Sequence, residues 1–445
     1  MQLLQDAVTQ WLNQSSKQCY VIKGAAGTGK THCLLELQNA IPNSITVSFT
    51  NKAVKVILSR GGEAHTIHSS FYQVIPTGKF KTIYTPKISS ITHQIEKDYN
   101  GNTVLLAGVE EICEYSFEPA AVFRKGISSM SDVVVIVDEA SMVPIEILYE
   151  FFENTNYRYI FIGDHNQLPP VNPDYDELNQ EIASYLKSGL VPNSDSLQLY
   201  TKLKQYDKFF ENAIADYTLV INHRQASGSI INVVSDSVLN MGTYPTNLKV
   251  SGLVDIVDMY KDKVSVDDLM PIFAASAVKS DIIIAWKNTT CSKINSRVRS
   301  VLHANEFALL EENQYSRFLA GDKLYVQSNY KLNDMKISKG SFIYVEKIID
   351  YDYLNNLALA ECKIDDDNTT YLLTLDQGYC KTRIRGISAV NVSFGFCITA
   401  HKSQGSQWDG VMVIDEGIHF DRKRWLYTAI TRAKRGLTII NGDIK

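Results

Sequence analysis

The stretch Val21-Ile22-Lys23-Gly24-Ala25-Ala26-Gly27-Thr28-Gly29-Lys30-Thr31 constrains this chain more than any other. It has the form G-x-x-x-x-G-K-T. A buried-strand pattern at residues 19–22 precedes it, and an apolar-periodic run at 32–40 that predicts a helix follows. Glycines let a backbone close around phosphates, and the helix behind them presents unpaired N–H groups to an anion. Gly24, Ala25, Ala26, Gly27, Thr28 and Gly29 form the cradle, Lys30 reaches the β- and γ-phosphates, and the Thr31 hydroxyl meets Mg²⁺. A glycine-rich turn with a chance lysine is the alternative, and the flanking strand and helix weigh against it. The expectation is a nucleoside-triphosphate site in an α/β domain.

The pattern Val133-Val134-Val135-Ile136-Val137-Asp138-Glu139 suits a central parallel strand, apolar on both faces, that ends in two carboxylates. Ligands of open α/β sheets bind at such strand ends. Asp138 is therefore expected to hold Mg²⁺ and Glu139 to polarise the attacking water. A further strand at 159–162 leads into Gly163-Asp164-His165-Asn166-Gln167-Leu168-Pro169-Pro170-Val171, where Gln167 can touch the γ-phosphate and report its loss. A rigid turn would explain the prolines but not Gly-Asp and Gln at this spacing.

Other polar groups are weaker signals. Gln5 lies on a helix beginning near residue 4, and an amide can pair with both edges of adenine, yet a helix glutamine is more often a solvated residue. Thr50 and Asn51 follow a strand at 44–49 and open a helix running to residue 60, a plausible place for a backbone phosphate. Thr66 and His68 have the same character after Gly61-Gly62, although a lone histidine is usually structural.

The second half has no second phosphate loop but reads as another α/β layer. Strands are expected at 281–286, 392–399, 411–414 and 437–441, with helices at 288–299 and 423–431. Between residues 321 and 375, β-rich runs at 323–326, 342–345 and 371–373 alternate with polar turns, which suggests a small antiparallel barrel inserted into that layer. From 73 to 127 the pattern weakens around an Asn-Gly turn at Asn100-Gly101, as in an insertion projecting from the first domain.

Composition narrows the setting. A length of 445 residues leaves room for two or more domains. No apolar run approaches the ~20 residues of a membrane span. Seven scattered cysteines without a C-x-x-C pair suggest neither a disulfide framework nor a zinc site, so a reducing cytoplasm is expected (the host's, for a viral protein). The net charge of −5 excludes a uniformly basic coat for nucleic acid and leaves only a local groove.

Taken in order, these motifs resemble a superfamily 1 helicase, and in detail its 5′-to-3′ branch, which includes the phage helicase Dda and the RecD-like enzymes. Asp138-Glu139-Ala140-Ser141-Met142, the 163–171 segment and Ala400-His401-Lys402-Ser403-Gln404-Gly405-Ser406 look most like that branch. Gly321-Asp322-Lys323-Leu324 with Lys339-Gly340 is similar to the start of the family's SH3-like barrel, where the family usually has asparagine before the last glycine.

The resemblance implies two RecA-like parallel-sheet domains with an inserted pin region and an inserted SH3-like β-barrel. The first domain would span 1–215, with the pin at about 75–127; the second would span 216–305 and 390–445, with the barrel at 306–389. It implies ATP and Mg²⁺ as cofactors, Gln5 as the adenine reader, Arg224 and Arg432 as the two arginines reaching the γ-phosphate, and Gln404 as the link to closure. It makes Thr50, Asn51, Thr66, His68, Thr399, His401 and Lys402 nucleic-acid contacts, with Lys287 and Asn288 as a looser match and Tyr99 in the strand-separating pin.

The implied activity is translocation 5′ to 3′ on single-stranded DNA with unwinding of forked or tailed duplex, in replication, recombination or repair. A monomer is expected, with proteins of those processes as partners and no membrane. The alternatives are a superfamily 1 RNA helicase, and a nucleotide-switched nucleic-acid-binding module with little turnover.

Overall fold

The computed structural model describes residues 2–87, 96, 98, 104–117, 133–188, 192–221, 230–245, 254–259, 268–269, 271, 281–308, 317–332, 335–352, 357–365, 367, 369–377, 389–417 and 421–442. The chain divides into two compact units: Met1–Val74, Tyr115–Tyr244 and Lys423–Thr431 in one, and Ile75–Glu114, Pro245–Arg422 and Arg432–Lys445 in the other.

The first unit is built on a six-stranded sheet. Its strands are β1 (Cys19–Gly24), β2 (Ser44–Ser48), β3 (His65–Thr66), β6 (Val134–Asp138), β7 (Arg158–Gly163) and β8 (Tyr217–Leu219), in the order β3-β2-β6-β7-β1-β8. Every pairing is parallel. The reason lies in the strand sequences, which are apolar on both faces. Val135, Val137, Tyr159 and Phe161 enter one core with Val21, while Val134, Ile136, Ile160 and Ile162 enter the other with Ile22. That is the two-residue alternation of a sheet covered on both sides.

Between β3 and β6, β4 (Tyr72–Pro86) pairs with β5 (Leu105–Phe117) as a separate two-stranded sheet. Its base is held by Phe71, stacked on Phe117 at 5.9 Å, and by Tyr72, edge-on to Phe117 at 5.4 Å. Further out, Phe80, Val109 and Tyr115 are exposed. The base packs on the first core, and residues 75–114, expected with the first domain, group with the second unit. Tyr99 and the Asn100-Gly101 turn lie outside the described residues.

The second unit has a five-stranded sheet of β9 (Val254–Asp258), β10 (Ile282–Ala285), β18 (Cys397–Thr399), β19 (Trp408–Asp415) and β20 (Ala433–Asn441), in the order β18-β10-β19-β20-β9. All its pairings are again parallel. It also has a closed barrel of β11 (Lys323–Val326), β14 (Phe342–Asp352), β15 (Leu357–Ile364), β16 (Tyr371–Asp376) and β17 (Val390–Phe394). The short pair β12 (Tyr330–Leu332) and β13 (Met335–Ile337) is separate. Inward residues Leu324, Val326, Ile343, Val345, Ala358, Ala360, Leu373 and Val392 fill the barrel.

Three further boundaries differ from those expected. Tyr217–Leu219, placed in the second domain, pairs with β1 and completes the first sheet. The strand expected at 392–399 is two strands: β17 closes the barrel against β11, and β18 enters the parallel sheet. Gly395 makes that switch, because a Cβ there would stand 3.0 Å from the backbone of Leu324 and Tyr325. The barrel therefore extends past residue 389. Finally, Lys423–Thr431 groups with the first unit, for reasons that lie in its side chains.

Candidate nucleotide site and nucleic-acid contacts

Because the first sheet is parallel, the ends of β1, β7 and β6 reach the same edge side by side. They carry the phosphate loop, Asp164 and the Asp138–Glu139 pair. Gly27 and Gly29 adopt φ of 86° and 82°, a left-handed conformation that costs glycine little. Gly24 leaves no room for a side chain, since a Cβ would lie 2.5 Å from Thr28 Oγ1. The helix Lys30–Ala40 starts directly after Gly29. Lys30 Nζ folds back to donate to the carbonyls of Gly24 and Ala25 at 2.9 and 3.0 Å.

Asp138 is 6% exposed, and burial followed by the adjacent Glu139 carboxylate pushes its carboxyl up to about 7. Lys30 acts in the opposite direction. A divalent cation would reverse this balance, since a bound ion is the largest local charge in such a site. Glu139 itself holds a left-handed backbone, φ 50° and ψ 45°, and its Oε2 is buried without a hydrogen-bond partner. A buried carboxylate oxygen left open beside a buried Asp fits a cation or a polarised water. Among the described residues no group of three His, Cys, Asp or Glu could hold a metal. Mg²⁺ in nucleotide sites takes much of its shell from water and phosphate, so Asp138 and Thr31 are a fitting donor set.

Asp164 is fully buried and organises the loop after β7. Its Oδ1 accepts from Asn166 N at 3.1 Å and its Oδ2 from Gln167 Nε2 at 3.3 Å. Gln167 is 4% exposed and its Oε1 is buried without a partner. The helix Arg422–Ile430 reaches the same loop. Tyr427 Oη donates to Asp164 Oδ2 at 2.8 Å and accepts from Ala26 N at 3.0 Å, while Leu168 N donates to Thr428 Oγ1 at 2.9 Å. Arg424 pairs with Glu211 at 2.7 Å. These bonds explain why Lys423–Thr431 groups with the first unit. Tyr427 and Thr428 were not among the residues expected to matter, since their partners lie up to 401 positions away.

Gln5 lies on the helix Gln2–Gln14, whose Leu4, Val8 and Trp11 pack into the core shared with Leu34 and Leu37. Its amide donates to Glu36 at 3.2 Å. Arg224 lies outside the described residues. In the second unit Arg432 is 3% exposed and donates to the Ser406 carbonyl at 3.3 Å, and Gln404 is 6% exposed.

The threonines expected at nucleic acid share one local device. Thr66 and Thr399 end the strands β3 and β18, and Thr50 follows the end of β2 by two residues. Each accepts a backbone N–H of the helix that follows: Ala53 at 3.2 Å, Ser69 at 3.1 Å and Lys402 at 3.5 Å. A capping hydroxyl still has its own proton to donate. His68 is exposed and stacks on Tyr72 at 5.1 Å.

Asn288, Thr399 and Lys402 line one cavity of 620 Å³ in the second unit, with Asn295, Gln327 and Gln377. Lys402 Nζ sits 5.2 Å from the Tyr325 ring, and burial lowers its pKa. Burial also lowers that of His401. Lys287 pairs with the buried Glu416 at 3.5 Å, and Glu416 also accepts from the Trp286 and Lys287 amides and the Thr290 hydroxyl. Glu416 was missed because nothing near it in sequence marks it as the partner of a helix start.

Two family models match the chain in the order of these sites. One described as an AAA domain matches residues 5–173, and one described as a UvrD-like helicase C-terminal domain matches residues 394–440. In content and in order these two matches are similar to a superfamily 1 helicase. Among curated relatives, the RecBCD enzyme subunit RecD of Buchnera aphidicola from Acyrthosiphon pisum is 23% identical over 485 residues, covering 94% of this chain and 69% of its own. Its counterpart from the Schizaphis graminum strain is 24% identical over 454 residues, covering 94% and 70%. The Pif1 helicase of Candida albicans aligns over 99% of this chain and 94% of its own at 17% identity, with a TM-score of 0.46, too low to establish a shared fold. The matched domains and the RecD relatives mark the chain as an ATP-driven helicase, a hydrolase.

Proposed function

We propose that this helicase moves 5′ to 3′ along single-stranded DNA and unwinds duplex ahead of it, using ATP with Mg²⁺. The observation that carries the reading is the single sheet edge holding the phosphate loop, the Asp138–Glu139 pair and the Asp164–Gln167 turn. In this reading Lys30 binds the β- and γ-phosphates, Thr31 and Asp138 hold Mg²⁺, and Gln5 reads adenine. Mg²⁺ supplies charge neutralisation of the phosphates. Glu139 takes the proton of the attacking water, and Gln167 meets the γ-phosphate. Arg224, Arg432 and Gln404 act on the same phosphate when the two RecA-like domains close around it.

Thr50, Asn51, Thr66, His68, Lys287, Asn288, Thr399, His401 and Lys402 hold the strand by phosphate and sugar, so little sequence preference follows. The β4–β5 hairpin, with Tyr99, serves as the pin, and the barrel is the family's SH3-like one. The 5′-to-3′ direction is supported by the resemblance of the segments at 138–142, 163–171 and 400–406 to that branch. A monomer acting in the cytoplasm on forked or tailed DNA, with replication, recombination or repair proteins, completes the proposal.

The test is unwinding of a partial duplex with a 5′ or a 3′ single-stranded tail, with ATP and Mg²⁺. Opening with the 5′ tail alone is expected. Opening with the 3′ tail alone overturns the direction. ATP hydrolysis stimulated by RNA and not DNA overturns the substrate.

A further inference from the structure

We infer that the Tyr427 hydroxyl is a positioning group that competes with a phosphate oxygen for the Ala26 amide of the phosphate loop. The inference rests on the reading of the loop as the ATP site. Ala26 N–H, in the middle of the loop, donates to Tyr427 Oη at 3.0 Å, and the same hydroxyl donates to Asp164 Oδ2 at 2.8 Å. That carboxylate oxygen also accepts from Gln167 Nε2 at 3.3 Å. Tyr427 is 2% exposed and Asp164 fully buried, so the hydroxyl cannot exchange these partners freely with water.

One N–H serves one acceptor well. A phosphate that takes the Ala26 amide must displace Tyr427 from it, whereas the tyrosine keeps its own proton on Asp164. The hydroxyl thus opposes nucleotide binding at one end and orders the Gln167 turn at the other. Thr428, holding Leu168 N at 2.9 Å, steadies the far side of that turn. A single side chain therefore connects the state of the loop to the residue proposed to meet the γ-phosphate.

Tyr427→Phe separates the two effects. With the competitor gone, Mg-ADP should bind about three- to tenfold tighter, the range of one neutral hydrogen bond. With one donor to Asp164 gone, kcat should fall several-fold, so affinity and turnover move in opposite directions. A hydroxyl that merely anchors the helix gives unchanged or weaker ADP binding instead. Calorimetric titration of Mg-ADP into the full chain, into Tyr427→Phe and into Lys30→Ala tells these apart. ADP bound by the full chain, lost in Lys30→Ala and no tighter in Tyr427→Phe overturns this inference while leaving the ATP site standing. No ADP binding by the full chain overturns both. Should Tyr427→Phe fail to fold, 3-fluorotyrosine at position 427 reports by ¹⁹F NMR. Its resonance should move on ADP addition, and an unmoved resonance rejects the exchange.

Discussion

At the scale of single residues, the proposed nucleotide site combines groups that are individually unfavourable. Glu139 sits in a left-handed backbone that costs a non-glycine residue about 1–2 kcal/mol. Beside it, Asp138 is a buried acid whose charge is opposed by both burial and its neighbour. Such arrangements persist at functional sites because the surrounding fold over-determines them. Glu139→Gln keeps size and backbone, so the variant should melt with the parent and still bind nucleotide while ATP turnover drops on the order of 100-fold or more. Turnover at the parental rate would show that Glu139 is not the base. A second residue-scale prediction concerns Asp322, fully buried, which accepts Arg299 Nε at 2.7 Å, His303 Nε2 at 3.1 Å and Leu319 N at 2.8 Å. Asp322→Ala removes the carboxylate from a buried guanidinium and should lower stability by about 3–5 kcal/mol, read by urea unfolding of the full chain.

At the scale of elements, the recurrent unit is a strand followed, at its end or within two residues, by a threonine that caps the next helix. It appears at Thr50, Thr66 and Thr399, in both units. The cap fixes where the hydroxyl stands, which a contact to a phosphate requires, at the helix end where N–H groups already gather. Thr50→Ala should therefore cost about 1 kcal/mol in thermal stability. It should also weaken single-stranded DNA binding about three- to tenfold by anisotropy, with Thr50→Ser close to the parent. Equal DNA affinity in the alanine variant would reduce Thr50 to a cap. The elements also show where pattern reading stops. The runs at β1, β6 and β7 were legible because apolar residues buried on both faces leave an unbroken signature. Residues 392–399 looked like one strand because β17 and β18 are both β-formers, and only the close approach of Gly395 to Leu324 and Tyr325 separates them.

At the scale of the whole molecule, a net charge of −5 must be reconciled with a nucleic-acid substrate. Of the residues proposed to touch the strand, only Lys287 and Lys402 are lysine or arginine, and Lys287 is paired with Glu416. Binding should therefore owe more to hydroxyls, amides and stacking than to released counterions. With about two cations engaged, log K against log salt should fall with a slope of about −1.4. A slope steeper than about −3 would mean that other cations carry the strand. Within the second unit, the barrel is tied to the parallel sheet's layer by Arg299 to Asp322 and by Lys323 Nζ to the Asp281 carbonyl at 2.9 Å.

The sequence by itself determined the phosphate loop, the carboxylate pair and the Gln167 turn, because each is contiguous with the strand and helix that shape it. The threonine caps are local for the same reason. Only the tertiary structure decided which strands share a sheet, that Tyr217–Leu219 joins β1, and that Tyr427 meets Ala26 and Asp164 across 401 and 263 positions. Pairings over such separations depend on the whole chain closing around its cores, and a hydroxyl on a buried helix carries no local mark of the partner it will find.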